Sequence, residues 1–168
     1  MRHIRSWLGF ALVTGLAAAC APKEPAPAPA APAVDSTGVR SAVDAMWKQW
    51  VAADTAGNIP AMAGLVSDSI RIDAKGQPAI IGKAAWQSFA SAMLKGVSIG
   101  SEVITPDVTI AVSNDLAYQN GNYAEQTVRD TKKTTDYGRY AAAIAKDADG
   151  VWRIRYIMSF SDSTVAAK

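Results

Sequence analysis

Residues 50–86 read WVAADTAGNIPAMAGLVSDSIRIDAKGQPAIIGKAAW, and the hydrophobic pattern changes repeatedly along this stretch. Its first residues complete an amphipathic pattern that predicts a helix over residues 35–56. The apolar positions of that helix recur at helical spacing: Val39, Val43, Met46, Trp47, Trp50 and Val51. Gly57 and Asn58 suit its end, and residues 59–66 predict a second helix. The alternation over residues 69–73 predicts a strand, and residues 83–94 predict a third helix.

Beyond Gly96 the pattern becomes that of strands. We predict them over residues 97–104, 108–113, 116–129, 134–146 and 151–160, with turns at 114–115 and 147–150. Helices followed by a long antiparallel meander predict the α+β class. In the last strand, simple alternation predicts one face, directed at the helices, that holds Trp152, Ile154, Tyr156, Met158 and Phe160.

The N-terminal segment resembles the signal of an exported bacterial lipoprotein. Arg2 and Arg5 precede an apolar run that is too short to span a bilayer, and small residues lead up to Cys20. We expect a signal peptide over residues 1–19 and lipid attachment at Cys20, with the protein on the cell membrane or outer membrane, facing the periplasm or exterior. An ordinary signal peptide with an incidental cysteine is the alternative. Residues 20–34, rich in proline and alanine, predict an extended linker.

The composition of the mature chain excludes several classes of function. Loss of Arg2 and Arg5 lowers the Lys plus Arg count from 17 to 15, which equals the count of Asp plus Glu. A neutral chain without a basic patch gives no support for nucleic-acid binding. The only histidine, His3, leaves with the signal, and the only cysteine would be lipidated. Catalysis by Ser-His-Asp or Cys-His groups and the usual zinc sites are therefore excluded.

Residues 50–86, together with DGVWRI at residues 149–154, resemble the SnoaL-like branch of the nuclear transport factor 2-like superfamily, which includes ketosteroid isomerase-like domains. The resemblance covers nearly all of the predicted domain, residues 35–162, and leaves residues 163–168 as a flexible tail. It implies a cone-shaped, curved antiparallel sheet wrapped around a long N-terminal helix with two further helices. It also implies a pocket between sheet and helix, and pairing into a homodimer through the outer sheet face.

The comparison with ketosteroid isomerase concerns three positions. The segment DAKGQP at residues 73–78 resembles the turn that follows the catalytic base, which places Asp73 at the base position. Trp50 stands where that enzyme has a tyrosine donor, and an indole N–H can donate one hydrogen bond. Ala141 or Ala142 stands where that enzyme has a protonated acid. The alternative is that Asp73 only stabilises its turn.

The predicted pocket draws on the first helix and the later strands. Its predicted lining is Trp50, Tyr118, Asn120, Tyr140, Trp152, Tyr156 and Met158. Tyr118 and Asn120 share one strand face, whereas Tyr123 and Glu125 share the other, and either face could turn inward. Packing in an ordinary core is the alternative for the aromatic residues. The predicted ligand is a small apolar or aromatic molecule.

Three functions are compatible with these observations. The first is an exported domain, held at the membrane only by its lipid, that binds a small, mostly apolar molecule without catalysis. The second is an enzyme of the isomerase, cyclase or dehydratase type with Asp73 as general base. The third is a purely structural or assembly domain. No cofactor or metal is predicted. Asp147 and Asp149 resemble part of a calcium loop, but they lie in a short turn without the glutamate that calcium loops use.

Overall fold

The computed structural model describes residues 33–166. The predicted signal peptide, Cys20 and nearly all of the predicted linker lie outside the described residues. Within the described part, no helix has the length and apolar character needed to cross a membrane.

Three helices form at the predicted places: α1 (Ser36–Thr55), α2 (Ile59–Gly64) and α3 (Lys83–Met93). The Asp35 side chain caps α1, because its Oδ1 accepts a hydrogen bond from the Gly38 N–H at 2.9 Å. Asn58 caps α2 in the same way, accepting from the Ala61 N–H at 3.1 Å. Gly57 between them has a φ of +62°, a conformation that glycine adopts without strain. These local signals set the angle at which the chain turns from α1 into α2.

Six strands form one curved sheet. They are β1 (Val66–Ala74), β2 (Ile80–Ile81), β3 (Ser98–Ser113), β4 (Leu116–Arg129), β5 (Lys132–Lys146) and β6 (Trp152–Ala166), in the order β2-β1-β6-β5-β4-β3. The prediction is a wholly antiparallel sheet, but the sheet is mixed, because β1 runs parallel to β6. Hydrophobic alternation identifies a strand but carries no information about the direction of its neighbour.

Two strand lengths differ from the predicted ones. Residues 97–104 and 108–113 were predicted as separate strands, but β3 is continuous, with a register shift between Pro106 and Val108. A bulge next to Pro106 accommodates the proline, so the strand continues through a position where the sequence pattern predicts a break. At the C-terminus, β6 continues to Ala166, which pairs with Thr134, so the described part of the predicted tail is a strand.

A bulge at Arg155 reverses the faces of β6. Ile144 pairs with Ile154 and Ala143 with Tyr156, so Arg155 has no partner on β5. Before the bulge, Ile154 faces the helices; after it, Ile157 and Ser159 do. The prediction that one face carries Trp152 through Phe160 is therefore wrong beyond residue 154, because one extra residue inverts the alternation.

The core lies between the three helices and the inner face of the sheet. Val43, Ile70, Ile144 and Ile154 are at most 1% exposed. Full burial of one such side chain stabilises a fold by roughly 1.5–3 kcal/mol. Aromatic contacts continue this core towards β5, where the ring centroids of Trp47 and Tyr140 lie 5.5 Å apart.

Arg153 holds the turn between β5 and β6. Its guanidinium donates to Asp147 at 2.9 Å and to Asp149 at 2.7 Å, and its Nε donates to the Gly64 carbonyl at 2.9 Å. The hydrogen bond from Arg153 lowers the pKa of Asp149 to about 2. Arg153 thus stabilises the turn through the two aspartates and connects it to the end of α2 through Gly64.

Candidate functional site

A cavity of about 540 Å³ opens between α1, α3 and the inner face of the sheet. Its walls are mainly apolar, and α1, α3, β1 and β6 supply most of them. The apolar lining consists of Trp47, Trp50, Val66, Ile70, Ile72, Ala74, Ile80, Trp86, Phe89, Met93, Ile104, Ile154 and Ile157. A concave apolar site of this size is typical of pockets that hold small molecules.

The polar groups of the cavity are concentrated on β3, β4 and β5. Glu102 lies on β3, Tyr123 and Glu125 on β4, and Asp136 and Tyr140 on β5. The Tyr123 hydroxyl donates to Asp136 at 2.8 Å. One side of the cavity is therefore acidic and the other is aromatic and aliphatic.

Three carboxyl groups, which we call the acidic cluster, meet at this wall: Asp54 from α1, Glu102 from β3 and Glu125 from β4. One oxygen of each lies within 4.8 Å of the others. Glu102 and Glu125 are direct cross-strand partners on the inner face. Like charges in this position normally destabilise a sheet, so the ionisation of the cluster must be altered.

Burial raises the pKa of Glu102 to about 8, and the neighbouring charges of Asp54 and Glu125 act in the same direction. Interaction with the Trp50 indole N–H partly opposes this rise. Burial, followed by the charges of Asp54 and Asp136, raises the pKa of Glu125 to about 7. The pKa of Asp54 is also raised, again by burial. At neutral pH the cluster therefore holds at least one proton.

Asp54 Oδ2 and Glu102 Oε2 are buried without a hydrogen-bond partner among the described residues. A protonated Glu102 could donate to Asp54, in the manner of two carboxyls that share a proton. Groups that titrate near pH 7 suit proton transfer. One carboxylate oxygen each from Asp54, Glu102 and Glu125 lies at a spacing that could also hold a divalent cation.

A second buried polar pair supports the cavity wall. Gln119 on β4 is fully buried, and its Oε1 accepts from the Tyr140 hydroxyl at 2.7 Å. The Gln119 amide donates to the Thr109 hydroxyl at 2.8 Å. These bonds keep the Tyr140 ring in place at the cavity.

Replacement of Tyr140 by phenylalanine should leave the Gln119 oxygen buried without a donor. We expect Tyr140→Phe to lower the free energy of unfolding by about 1–3 kcal/mol in urea denaturation. The matched control is Tyr137→Phe, since Tyr137 lies on the same strand as Tyr140 and is 47% exposed. Equal effects of the two substitutions would contradict the role assigned to the buried bond.

The structure brings two of the predicted pocket residues, Trp50 and Tyr140, to the cavity. Trp152 is buried in the core instead of lining the cavity. The other four lie on the outer sheet face. Tyr118 and Tyr156 are aligned there through Ala143, as are Asn120 and Met158 through Ala141. Tyr118 and Asn120 share one face of β4, as predicted, but it is Tyr123 and Glu125 that occupy the inner face.

Asp73 does not line the cavity. Ile70, Ile72 and Ala74 of β1 face inward, so alternation directs Arg71 and Asp73 outward. Arg71 donates two hydrogen bonds to the Asp73 carboxylate, at 2.9 and 3.0 Å. The guanidinium lowers the pKa of Asp73, which makes it a weaker base than an ordinary aspartate. The predicted role of Asp73 as a base in the pocket is therefore not supported by its position.

The acidic cluster was missed at the level of sequence. Asp54 follows an apolar helix stripe, and Glu102 is the only charged residue of the strand predicted over residues 97–104. Isolated charges of this kind usually face solvent. The sequence contains one indication of the cluster. Glu102 is two residues from Ile104, and Glu125 is two residues from Tyr123, so each glutamate shares a strand face with a large apolar or aromatic residue.

Comparisons with known proteins agree with this architecture. No protein-family model matches the chain, and no curated protein sequence is significantly similar to it. Among solved structures, a ketosteroid isomerase-like protein from Erwinia carotovora atroseptica aligns with a TM-score of 0.65 and 17% identity, over 73% of this chain and 95% of that one. A hexachlorocyclohexane dehydrochlorinase aligns with a TM-score of 0.63 and 13% identity, over 79% and 90%.

A third similar structure contains a small molecule. It is a protein from Catenulispora acidiphila in complex with S-DNPA, with a TM-score of 0.65 and 13% identity, over 75% of this chain and 95% of that one. Each likeness extends over most of both chains. The described domain therefore has the nuclear transport factor 2-like fold of ketosteroid isomerase-like proteins.

Proposed function

We propose that this protein binds a small, mostly apolar molecule in the cavity between α1, α3 and the sheet. The main support is the cavity itself, which is about 540 Å³ in volume and is lined by three tryptophans and several isoleucines. Transfer of apolar surface from water to such a site is favourable by about 25 cal/mol per Å². A protein of the same fold has been solved with S-DNPA, which supports small-molecule binding by this architecture.

The test is retention of a ligand by the purified protein. We expect mass spectrometry after denaturing extraction to find a small apolar molecule that co-purifies with the wild-type chain. Ser159 lines the cavity, so Ser159→Trp places an indole within it and should reduce retention at least tenfold. Ser163 is exposed on the same strand, and Ser163→Trp is the matched control.

The same two serine variants can also contradict the proposal. A molecule retained equally by Ser159→Trp and Ser163→Trp would lie outside the cavity. Circular dichroism must show native secondary structure for both variants, so that loss of binding is not mistaken for loss of fold.

A second candidate function is proton-transfer catalysis, with Glu125 and Glu102 rather than Asp73 as the acid–base groups. The favouring observation is that both carboxyls face an apolar cavity and have pKa values of about 7 and 8. Groups with pKa values near the working pH are the most effective proton donors and acceptors. Enzymes occur among the proteins of this fold, including a hexachlorocyclohexane dehydrochlorinase.

This candidate can be examined with 1-tetralone, an apolar ketone with exchangeable protons beside its carbonyl. Catalysis predicts that the protein accelerates deuterium incorporation from D₂O, and that Glu125→Gln abolishes the acceleration. Asp73→Asn should leave it unchanged, since Asp73 is paired with Arg71 away from the cavity. Loss of exchange in Asp73→Asn alone would instead favour the base that the sequence predicts.

For localisation we propose a lipid anchor at Cys20, on the outer side of the cell membrane or on the outer membrane. The support is the sequence pattern of a charged start, an apolar run and small residues before Cys20. Metabolic labelling with a radioactive fatty acid should mark the wild-type protein and leave Cys20→Ser unlabelled. Equal labelling of both, or of neither, would reject the anchor.

For assembly we propose a homodimer formed through the outer sheet face. Ile110, Tyr118, Ala143 and Tyr156 are aligned across four strands of this face, and Ile110 and Tyr118 are 50% and 41% exposed. An apolar row of this kind favours burial against a second copy. Sedimentation velocity should show a dimer that Ile110→Lys converts to a monomer, whereas a wild-type monomer at micromolar concentration would refute it.

A further inference from the structure

We propose that the molecule bound in the cavity is an organic cation, an amine on an apolar body, whose charged group pairs with Glu102 and Glu125. This inference rests on the proposed binding function and adds the chemical class of the ligand. It follows from three independent features of the cavity: its charge, its unpartnered oxygens and its aromatic walls.

The first feature is the imbalance of charge. The lining holds three carboxyl groups, Glu102, Glu125 and Asp136, and Asp54 lies directly behind Glu102. Lys75, in the turn after β1, is the one basic residue among the described residues that line the cavity. Asp136, together with Glu102 and Glu125 in their ionised forms, would repel an anionic ligand, and all three would attract a cation.

The second feature is a deficit of hydrogen-bond donors. Asp54 is 6% exposed, and neither its Oδ2 nor Glu102 Oε2 accepts a hydrogen bond from a described residue. Buried carboxyl oxygens are stabilised by donors, most strongly by charged ones. An ammonium group at Glu102 and Glu125 would supply several N–H donors at this point and would also reduce the repulsion within the acidic cluster.

The third feature is the aromatic lining near the carboxyls. Trp47, Trp50 and Trp86 line the same cavity, and the ring centroids of Trp50 and Trp86 lie 5.9 Å apart. Aromatic faces attract cations, and the combination of aromatic rings with carboxylates is typical of sites for organic ammonium groups. The apolar volume beyond them suits the body of such a ligand better than it suits the water shell of a metal ion.

Binding of a cation should be coupled to release of protons. The other titratable groups of the cavity and of the acidic cluster are Asp54 on α1, Asp136 on β5, Tyr123, Tyr140 and Lys75 at the turn. Because the pKa values of Glu125 and Glu102 are about 7 and 8, both are partly or mainly protonated at neutral pH. An ammonium group favours their ionised forms, so affinity for an amine should rise as the pH increases from 6 to 8.

A matched pair of probes separates the charge from the apolar body. We would measure binding of 1-naphthylmethylamine and 1-naphthylmethanol by calorimetry at pH 7, in phosphate and in Tris, whose different ionisation enthalpies report proton release. The expected result is at least tenfold tighter binding of the amine, with release of up to one proton per ligand. Glu125→Gln should reduce the preference for the amine, while Asp107→Asn, outside this cavity, should not.

Each outcome has a definite meaning. Equal affinity for the two probes, or tighter binding of the alcohol, overturns the inference and leaves the proposed binding function intact. Failure of both probes to bind at millimolar concentration counts against the proposed function and removes the inference with it. If Mn²⁺ raises the melting temperature and the amine does not, the acidic cluster is a metal site and the inference is overturned. Proton release by the wild-type protein tests the inference even if Glu125→Gln does not fold.

Discussion

Urea denaturation of the chain from residue 20 onward should show a free energy of unfolding that falls as the pH rises from 5 to 9. The cause is the acidic cluster, in which burial raises the pKa values of Glu102 and Glu125 to about 8 and about 7. The folded state therefore binds protons more tightly than the unfolded state does. This stabilisation is fully present below the ordinary glutamate pKa and is lost as the pH passes through the raised values. We expect a loss of about 2–4 kcal/mol.

Few other groups interfere in this pH range. The only histidine and the only cysteine lie at positions 3 and 20, before the described domain. Asp73, Asp149 and Asp162 have lowered pKa values because of their arginine partners, so their contribution has the opposite sign and is lost only in acid. The slope between pH 5 and 9 thus reports mainly on the cluster.

Glu102→Gln removes the largest of these shifts while keeping the size of the side chain. Its stability should vary less between pH 5 and 9, because only the raised pKa values of Glu125 and Asp54 remain, and at pH 9 it should exceed the wild type by about 1–3 kcal/mol. Asp149→Asn serves as a control outside the cluster and should retain the wild-type slope. A wild-type stability that does not change between pH 5 and 9 would contradict the buried ionisation described here.

Gly138→Ala is the second substitution for which we expect a large effect. Gly138 lies on β5 at the inner face, where an added Cβ would stand 2.2 Å from the Phe160 carbonyl oxygen and 2.5 Å from the Tyr123 ring. The oxygen belongs to the backbone of β6, so it cannot move aside as a flexible side chain would. We expect a loss of about 3 kcal/mol or more in the free energy of unfolding.

Gly64→Ala is the matched control for this effect. Apart from its chain neighbours and the backbone of its own helix, no described atom lies within 4 Å of the position its Cβ would take, and Gly64 is the last residue of α2. The added methyl group should change stability little or raise it by about 0.5 kcal/mol. A Gly138→Ala protein as stable as Gly64→Ala would show that β5 and β6 are farther apart at this position than described.

The helices and the class of the fold could be predicted because they depend on local patterns. The apolar stripe from Val39 to Trp50 has helical spacing, and Gly57 and Asn58 mark the boundary between two helices. The resemblance of residues 50–86 and 149–154 then indicated the cone architecture, which the structural neighbours confirm.

The inward face of each strand could not be predicted because it depends on register. Tyr118, Asn120, Tyr156 and Met158 do share a face, but it is the outer one. On β6 the error arises at Arg155, where a single unpaired residue inverts the alternation. Nothing in the residues around this position marks the bulge, because it is set by pairing with β5.

The acidic cluster could not be predicted because its members come from three distant segments. Asp54, Glu102 and Glu125 meet only when α1 crosses β3 and β4. The resemblance also directed attention to an acid near Ala141, on β5, where there is none. The buried acid is supplied instead by neighbouring strands.

The central claim, a ligand cavity on the inner face of the sheet, is tested most directly by NMR titration with 1-naphthylmethanol. The account predicts shifts of the Trp50 and Trp86 indole N–H signals and of the Ile157 methyl signals, since all three side chains line the cavity. The Met158 methyl signal, on the opposite face of the same strand, should not move. Shifts confined to Met158 and its outer neighbours, with Trp50 and Ile157 unchanged, would contradict it.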